Sequence, residues 1–394
     1  MTKPRHILII PSWYPPDGGY FFKEHSEAIQ KTGWQVDVLV NRVVGVRKLL
    51  QTGIGTLRGY TVEQEENLRV IRSVYLKIPG SEKHNIRSWA AGTKRLFSRY
   101  EKEFGKPDLI LTHSVTWAGY AAALIKEAYG IPFLVVEHRS FFVWSTEQAR
   151  HMVKPYYLPF FEKAYGSCSK LVLVSGSLKT GLKELMPWIE EKTMVIPNMI
   201  REDMFLPPKA ARSADPFVFV WAGRLEHVKG LDVLIKAVHL LRKKGRGSFS
   251  IRLAGKGSQK QNLEQMAAEL GVSDCVHFLG RLSREEMQRE MQQANCFVLP
   301  TRYEAFGAVL IEAMATGLPV IATRSGGPDH IVNELNGLLV DVENAEQLAE
   351  AMDRMIIKFN NYSASELRSQ TLDLYGQTSV MKQYNELFLQ LLKE

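Results

Sequence analysis

Only three cysteines, Cys168, Cys275 and Cys296, occur in 394 residues, and none stands in a C-x-x-C or a Cys/His ligand spacing. A disulfide framework and a structural zinc site are thereby excluded, which leaves reduced, buried thiols in a cytosolic chain. Long hydrophobic runs are lacking too. The apolar stretch Val115 to Ile125 stops at Lys126, well short of the ~20 residues that a bilayer span needs. The opening MTKPRHILIIPSWYPP has four apolar residues before Pro11, too few for a signal-peptide core, so a cytoplasmic location is expected. No G-x-G-x-x-G follows any candidate strand, which removes the dinucleotide fingerprint of a dehydrogenase. Zinc-finger spacing and RNP-type aromatic motifs are absent as well, so nucleic acid is not expected as a partner. What remains is a folded globular chain, 45% apolar and 23% charged. At ~150 residues per domain its length predicts two or three domains.

The net charge of +8 is unevenly spread. Residues 1–200 hold 27 Lys and Arg against 18 Asp and Glu, whereas residues 201–394 hold 23 against 24. The excess lies wholly in the first half, which suggests that this half meets something anionic, either phospholipid head groups or a phosphorylated substrate. A plain solubilising surface is the alternative.

Read for period, the chain alternates short β-branched runs with amphipathic segments of ten to twenty residues. Candidate strands run from His6, Gln35, Asp108, Pro132, Lys170, Phe217, Ser250, Val276, Cys296 and Pro319. They are mostly continuous apolar runs, as parallel strands buried on both faces require. Helical patterns such as Phe22 to Lys31, Asn85 to Phe104 and Leu231 to Lys243 lie between them. That alternation predicts a doubly wound α/β fold. The order breaks between Pro197 and Pro216, a stretch with four prolines and no sustained period, which reads as a domain linker. Two Rossmann-like domains, 1–200 and 201–375, are therefore expected to face an inter-domain cleft that holds the ligand, since doubly wound sheets bind beyond the carboxyl ends of their strands. Residues 376–394 are expected as a helix packing back on the first domain.

Chemistry belongs at those strand ends. Gly18 and Gly19 precede the first helix, where backbone N–H groups and the helix dipole favour an anion; a simple tight turn uses the same glycines. After the run from Phe217, Arg224 and Lys229 stand five residues apart between glycines. Two such cations suit a diphosphate, the arginine as a fork and the lysine as a point charge, unless Arg224 pairs with Glu226 or Glu304. Further on, a strand ends at Pro300, Glu304 sits in the loop, a helix begins near Phe306 and Glu312 lies one to two turns into it. The N–H groups of Phe306, Gly307, Ala308 and Val309 suit phosphate oxygens, while the two carboxylates accept hydrogen bonds from hydroxyls. A nucleotide sugar offers sugar hydroxyls, phosphates and a ribose diol in that order. Taken singly, Glu304 also fits a helix cap and Glu312 a surface glutamate.

Glu304 and Glu312 form E-x7-E, followed by A-x-G-x-P-V-I-A-T and Gly326-Gly327, with Gly255-Lys-Gly257 and Phe278-Leu-Gly280 upstream. The pattern resembles a retaining glycosyltransferase of family 4, with the two-Rossmann GT-B architecture, over nearly the whole chain. The resemblance implies that Arg224 and Lys229 clamp the donor diphosphate, that Glu304 meets the donor-sugar hydroxyls, that Glu312 meets the ribose, and that Gly19 lies at the donor phosphate. It places a histidine opposite the donor sugar: His138, in Val135-Val-Glu-His138, or its rival His113, in Leu111-Thr-His-Ser114. Ala305 departs from the pattern, where many members have glycine. The opening Ser12-Trp-Tyr-Pro15 with Gly19-Tyr-Phe-Phe22 resembles members found in polysaccharide assembly.

The resemblance implies a UDP- or GDP-linked donor, a glycan or lipid-linked acceptor, and no cofactor. No Asp-x-Asp triplet occurs, so a metal-independent reaction is expected, with the leaving diphosphate met by Arg224, Lys229 and helix N-termini. Either the departing phosphate takes the acceptor's proton or Glu304 acts as nucleophile in a double displacement. The alternatives are a GT-B relative acting as hydrolase, epimerase or phosphorylase, and a nucleotide-sugar binding protein without turnover. Finally, Arg42 to Arg58 places Arg47, Lys48 and Arg58 among apolar residues, a pattern able to lie on an anionic membrane surface or to pack as an ordinary excursion on its own domain.

Overall fold

The computed structural model describes residues 5–52, 59–143, 151–213, 215–245 and 248–393, without the side chains of residues 47, 48 and 52. Arg58 and the side chains of Arg47 and Lys48 therefore lie outside the described residues.

Eight strands form the first sheet: β1 (His6–Pro11), β2 (Gln35–Gly45), β3 (Thr61–Glu65), β4 (Leu68–Lys77), β5 (Leu109–His113), β6 (Phe133–Glu137), β7 (Lys170–Leu173) and β8 (Thr193–Val195). Their order is β3-β4-β2-β1-β5-β6-β7-β8, parallel throughout except where β3 runs against β4. Six strands form the second: β9 (Phe217–Ala222), β10 (Phe249–Ala254), β11 (Val276–Gly280), β12 (Cys296–Leu299), β13 (Val320–Thr323) and β14 (Gly337–Val340). All are parallel, in the order β11-β10-β9-β12-β13-β14. The chain is thus two doubly wound Rossmann-like domains. Every residue of β1, β5, β6 and β12 is buried, which is why these segments read as mostly continuous apolar runs, with polar residues only at their ends.

Four strands, β3, β4, β8 and β14, were not legible from period. β4 is ten residues long, but Arg69, Arg72 and Lys77 interrupt its apolar pattern. Those charges are used sideways: Arg69 reaches Asp37 of β2 at 3.1 Å and Arg72 reaches Glu63 of β3 at 2.9 Å. β8 and β14 are edge strands of three and four residues, too short to show a period.

The strand order reverses direction once in each sheet, between β1 and β5 and between β9 and β12. Loops on either side of such a switch point diverge and leave a crevice beyond the strand ends. The first crevice is bounded by Ser12 to Gly19 and by Ser114; the second is bounded by Gly223 to Lys229 and by Pro300 to Gly307.

After the second sheet the chain returns to the first. Gly376 bridges Ile200, and the helix Gln377–Leu391 packs on the first-domain helix Tyr20–Lys31. Trp34 anchors it, with its ring edge-on to Phe388 at 5.5 Å and its Nε1–H donating to Asn385 Oδ1 at 2.9 Å. Among the described residues no helix is long and apolar enough to cross a membrane. Removing the buried Trp34 ring leaves a cavity and an orphaned Asn385, so Trp34→Ala should cost about 3 kcal/mol. Trypsin should then cut the terminal helix at the exposed Lys382 before the rest of the chain unfolds, which limited proteolysis followed by mass spectrometry will show.

Candidate active site

In the second crevice, Lys229 and Glu304 come together although 75 residues separate them, with Nζ to Oε2 at 2.7 Å. Both are about one-fifth exposed. The contact depends on a buried strut that sequence reasoning missed. Arg302 forks Asp232 at 2.9 and 2.8 Å, bonds the His227 carbonyl and also pairs with Glu343. Its own N–H donates to the Val228 carbonyl at 2.9 Å. The loop carrying Lys229 is thereby tied to the loop carrying Glu304. Close approach makes one glycine obligatory here: a Cβ on Gly230 would meet the Pro300 carbonyl oxygen at 1.9 Å. The only hint of Arg302 in the sequence was its place two residues before Glu304.

Glu304 is also held by backbone. Its N–H donates to the Ser325 carbonyl and its carbonyl accepts from Gly327 N–H, both at 2.8 Å. Ala305 sits buried, its carbonyl accepting a hydrogen bond from Ser175 of the first domain. Its φ is not positive, so alanine fits where the pattern has glycine. Arg224 lies exposed at the end of β9.

The helix expected near Phe306 begins two residues later, at Ala308. Gly307 adopts φ 96°, a left-handed conformation that cannot continue into a helix toward Phe306. Phe306 is turned inward against Tyr375 at 5.9 Å. The first helical bond is Leu310 N–H to the Gly307 carbonyl, so the N–H groups of Ala308 and Val309 belong to the unbonded first turn. Glu312 projects from the second turn into a recess lined by Phe21, Glu24, Arg284 and Ala308. Arg284 is gripped there by Glu24 from the first domain. Burial pushes the Glu312 carboxyl up to about 7, with Arg284 opposing the shift and Glu24 adding to it. The recess adjoins a cleft of about 470 Å³ between the domains, shared by Glu24, Arg201, Met204 and Arg284. Neither Glu24 nor Arg284 carried any signal in the sequence.

On the first-domain side, Gly18 and Gly19 have φ of 112° and 73°, and Gly19 opens the helix Tyr20–Lys31. Arg42, at the start of the basic segment, lies in β2 and pairs with Asp17 in this same loop. His138 follows β6 and is half-buried, whereas the rival His113 is fully buried. The two touch, His113 Nδ1 to His138 Nε2 at 3.0 Å. His138 is positioned by the preceding Glu137, another residue the sequence did not flag. Its buried carboxylate accepts from the N–H groups of His138, Arg139 and Val115 and from the Tyr165 hydroxyl, at 3.0 to 3.2 Å. Phe21 links the two sides: its ring lies 5.5 Å from that of His138 and it lines the recess beside Glu312. Close contacts elsewhere bring the domains together around Glu304, where a Cβ on Gly326 would meet Val143 at 2.4 Å.

Two facing Rossmann-like domains with their strand ends turned to one cleft are the GT-B glycosyltransferase architecture. Solved structures share it: the sucrose-phosphate synthase of Thermosynechococcus elongatus superimposes with a TM-score of 0.78 at 22% identity, covering 98% of this chain and 99% of that one. Anabaena HepE in complex with UDP does so with a TM-score of 0.72 at 18% identity, covering 98% and 100%. Residues 19–203 match the Glycosyltransferase Family 4 model and residues 204–365 match Glycosyl transferases group 1. The chain is a GT-B glycosyltransferase that belongs to these families, the first domain to one and the second to the other. A relative in sequence is TuaC of Bacillus subtilis, a glycosyltransferase named for teichuronic acid biosynthesis, 28% identical over 373 residues and 88% of each chain.

A carboxyl that titrates near neutrality sets a pH dependence for any ligand whose hydroxyls it receives. The ionised form is the better acceptor, and because the value is raised, that form is lost as pH falls through about 7. If Glu312 receives the ribose hydroxyls of a nucleoside diphosphate, as the sequence pattern implies, the affinity should rise several-fold from pH 6 to pH 8, and Glu312→Gln should flatten the dependence, as calorimetry at a series of pH values will report.

Proposed function

We propose that this protein is a retaining, metal-independent hexosyltransferase that moves a sugar from a UDP- or GDP-linked donor to a glycan or lipid-linked acceptor in cell-surface polysaccharide assembly. The observation that carries the reading is the Lys229–Glu304 pair at 2.7 Å, set beside the first turn of the helix Ala308–Ala315 at a switch point. A cation, a carboxylate and unbonded N–H groups then lie together where a sugar diphosphate needs them. Two findings about relatives support the donor and pathway: HepE is a UDP complex of the same fold, and TuaC is named for a polysaccharide.

On this reading the diphosphate draws Lys229 away from Glu304 and is flanked by Arg224, Gly18 and Gly19, and by the N–H groups of Ala308 and Val309. Glu304, relieved of its partner, accepts from the sugar hydroxyls, Glu312 accepts from the ribose, and His138 faces the sugar. The bond from the anomeric carbon to the diphosphate oxygen breaks with its electron pair leaving on the diphosphate. The acceptor oxygen bonds the same face of that carbon, and its proton passes to the departing phosphate oxygen. Charge that grows on the leaving group is met by fixed cations and dipoles. No protein base is required.

The first half's 27 cations against 18 acids suit an anionic acceptor, and the segment of Arg47, Lys48 and Arg58 suits a membrane face. A cytoplasmic, peripheral location follows from that acceptor.

Arg224→Ala and Lys229→Ala should each lower kcat/KM by roughly 10²-fold or more, measured with the donor that turns over best; unchanged values in both remove the clamp. The function itself is tested by supplying UDP- and GDP-hexoses with lipid-linked and free glycan acceptors in excess EDTA. An α-linked donor should give an α-linked product by NMR. An inverted product, free hexose alone, or activity abolished by EDTA and restored only by Mn²⁺ would each refute the corresponding part of the reading.

A further inference from the structure

His113 is only the middle of a chain. Its Nε2 lies 3.2 Å from His25 Nδ1, and its Nδ1 lies 3.0 Å from His138 Nε2. Three imidazoles are thus hydrogen-bonded in series, from inside the first domain to the face of the cleft. His25 and His113 are buried, at 2% and 0% exposure. Aromatic rings seal the chain: Phe22 stacks on His113 at 4.3 Å, Phe21 meets His138 at 5.5 Å, and Tyr384 of the terminal helix closes edge-on over His25 at 4.6 Å. Burial holds His25 and His138 down to about 3 and His113 well below its usual range, and the neighbouring histidines add to this for His25 and His113. All three rings are therefore neutral at physiological pH, with one proton each.

One proton per ring means that the chain can point only one way at a time. The buried end sets the direction. His25 Nε2 is buried without a partner, and an orphaned N–H is rarer in a protein interior than a bare lone pair. His25 therefore carries its proton on Nδ1 and donates to His113 Nε2; His113 donates in turn from Nδ1 to His138 Nε2, and the proton of His138 sits on Nδ1, at the cleft end.

We propose that His25 and His113 are positioning residues that fix the tautomer and ring orientation of His138, presenting a single Nδ1–H at the cleft end of the chain for a donor hydroxyl. The inference rests on the assignment of His138 to the donor sugar. It gives the two deeper histidines a task that packing does not supply, because the tautomer of an imidazole is set by the partner of its other nitrogen. It also keeps an uncharged ring beside the carbon on which positive charge develops.

Two substitutions at His25 separate hydrogen bonding from packing. In His25→Asn the side-chain N–H takes the place of Nδ1–H but the ring is lost; in His25→Phe the ring stays against Tyr384 and Phe21 but the donor is lost. His25→Asn should keep kcat within about three-fold of wild type, whereas His25→Phe should lose about ten-fold in kcat with the donor KM unchanged. The reverse ranking, with Phe harmless and Asn harmful, overturns the proposal. A second measurement needs no turnover: in protein labelled with ring-¹⁵N histidine, long-range ¹H–¹⁵N correlation should show His138 protonated on Nδ1 in the wild type and a mixture of tautomers in His25→Phe. A wild-type His138 protonated on Nε2 also overturns it, even if the transferase reading stands. The expected tautomers in a protein that transfers no sugar keep the histidine chain and remove the transferase reading instead.

Discussion

A parallel sheet covered on both faces leaves one place for polar chemistry, the ends of its strands, and everything in this molecule is arranged around that constraint. β1, β5, β6 and β12 bury every residue they contain, so a charge in their middle would be stranded without water. Their last positions and the loops after them carry what the middles exclude: Gly18 and Gly19 after β1, His113 at the end of β5, Glu137 at the end of β6 and His138 after it, Glu304 after β12. The reversal of strand order then opens each set of loops into a crevice. Because Ser175 reaches the Ala305 carbonyl and Val143 lies against Gly326, the two crevices face one another.

Within the cleft the charges are matched before any ligand arrives. Lys229 holds Glu304, and Glu24 reaches across the domains to Arg284 beside Glu312. Such partly exposed pairs are individually weak, of the order of 1 kcal/mol. Their value lies in geometry, since each holds a side chain extended into the cleft. On the proposed reading a diphosphate presents more than one negative charge to Lys229 and Arg224 and displaces the single carboxylate, which is then free to accept from the sugar hydroxyls.

The fold class was legible because its signals are local: apolar runs bounded by glycine and proline, and a proline-rich break between the halves. β4 escaped because its arginines pair laterally with Asp37 and Glu63, a tertiary use that looks like loop polarity in one dimension. The candidate site divides along the same line. Arg224, Lys229, Glu304, Glu312 and His138 stand at strand ends or helix starts, where backbone demands produce recognisable spacing. Arg302, Glu137, His25, Glu24 and Arg284 carried no such spacing, although Glu137 ends β6 and Arg284 opens a helix. Arg302 matters only because Asp232 and Glu343, 70 and 41 residues away, arrive beside it, and His25 matters only because 88 residues of chain return His113 to its side. The polar residue of a helix face and the member of a buried chain are the same letter until the fold closes.

The chain crosses between the domains twice, through the linker beginning at Pro197 and again at Gly376, and the two crossings are side by side because Ile200 pairs with Gly376. Movement of one domain against the other must pass through this edge, with the terminal helix staying on the first domain by its contacts to Trp34 and His25. Both ends of the histidine chain are therefore fixed relative to that edge. Tyr384 covers His25 from the helix Gln377–Leu391, which packs on the first domain, and the backbone of His138 is tied to Glu137 at the end of β6 in that same domain. The contacts that orient the His138 ring, and with it the proposed position of its proton, thus come from the first domain and the terminal helix rather than from the second sheet.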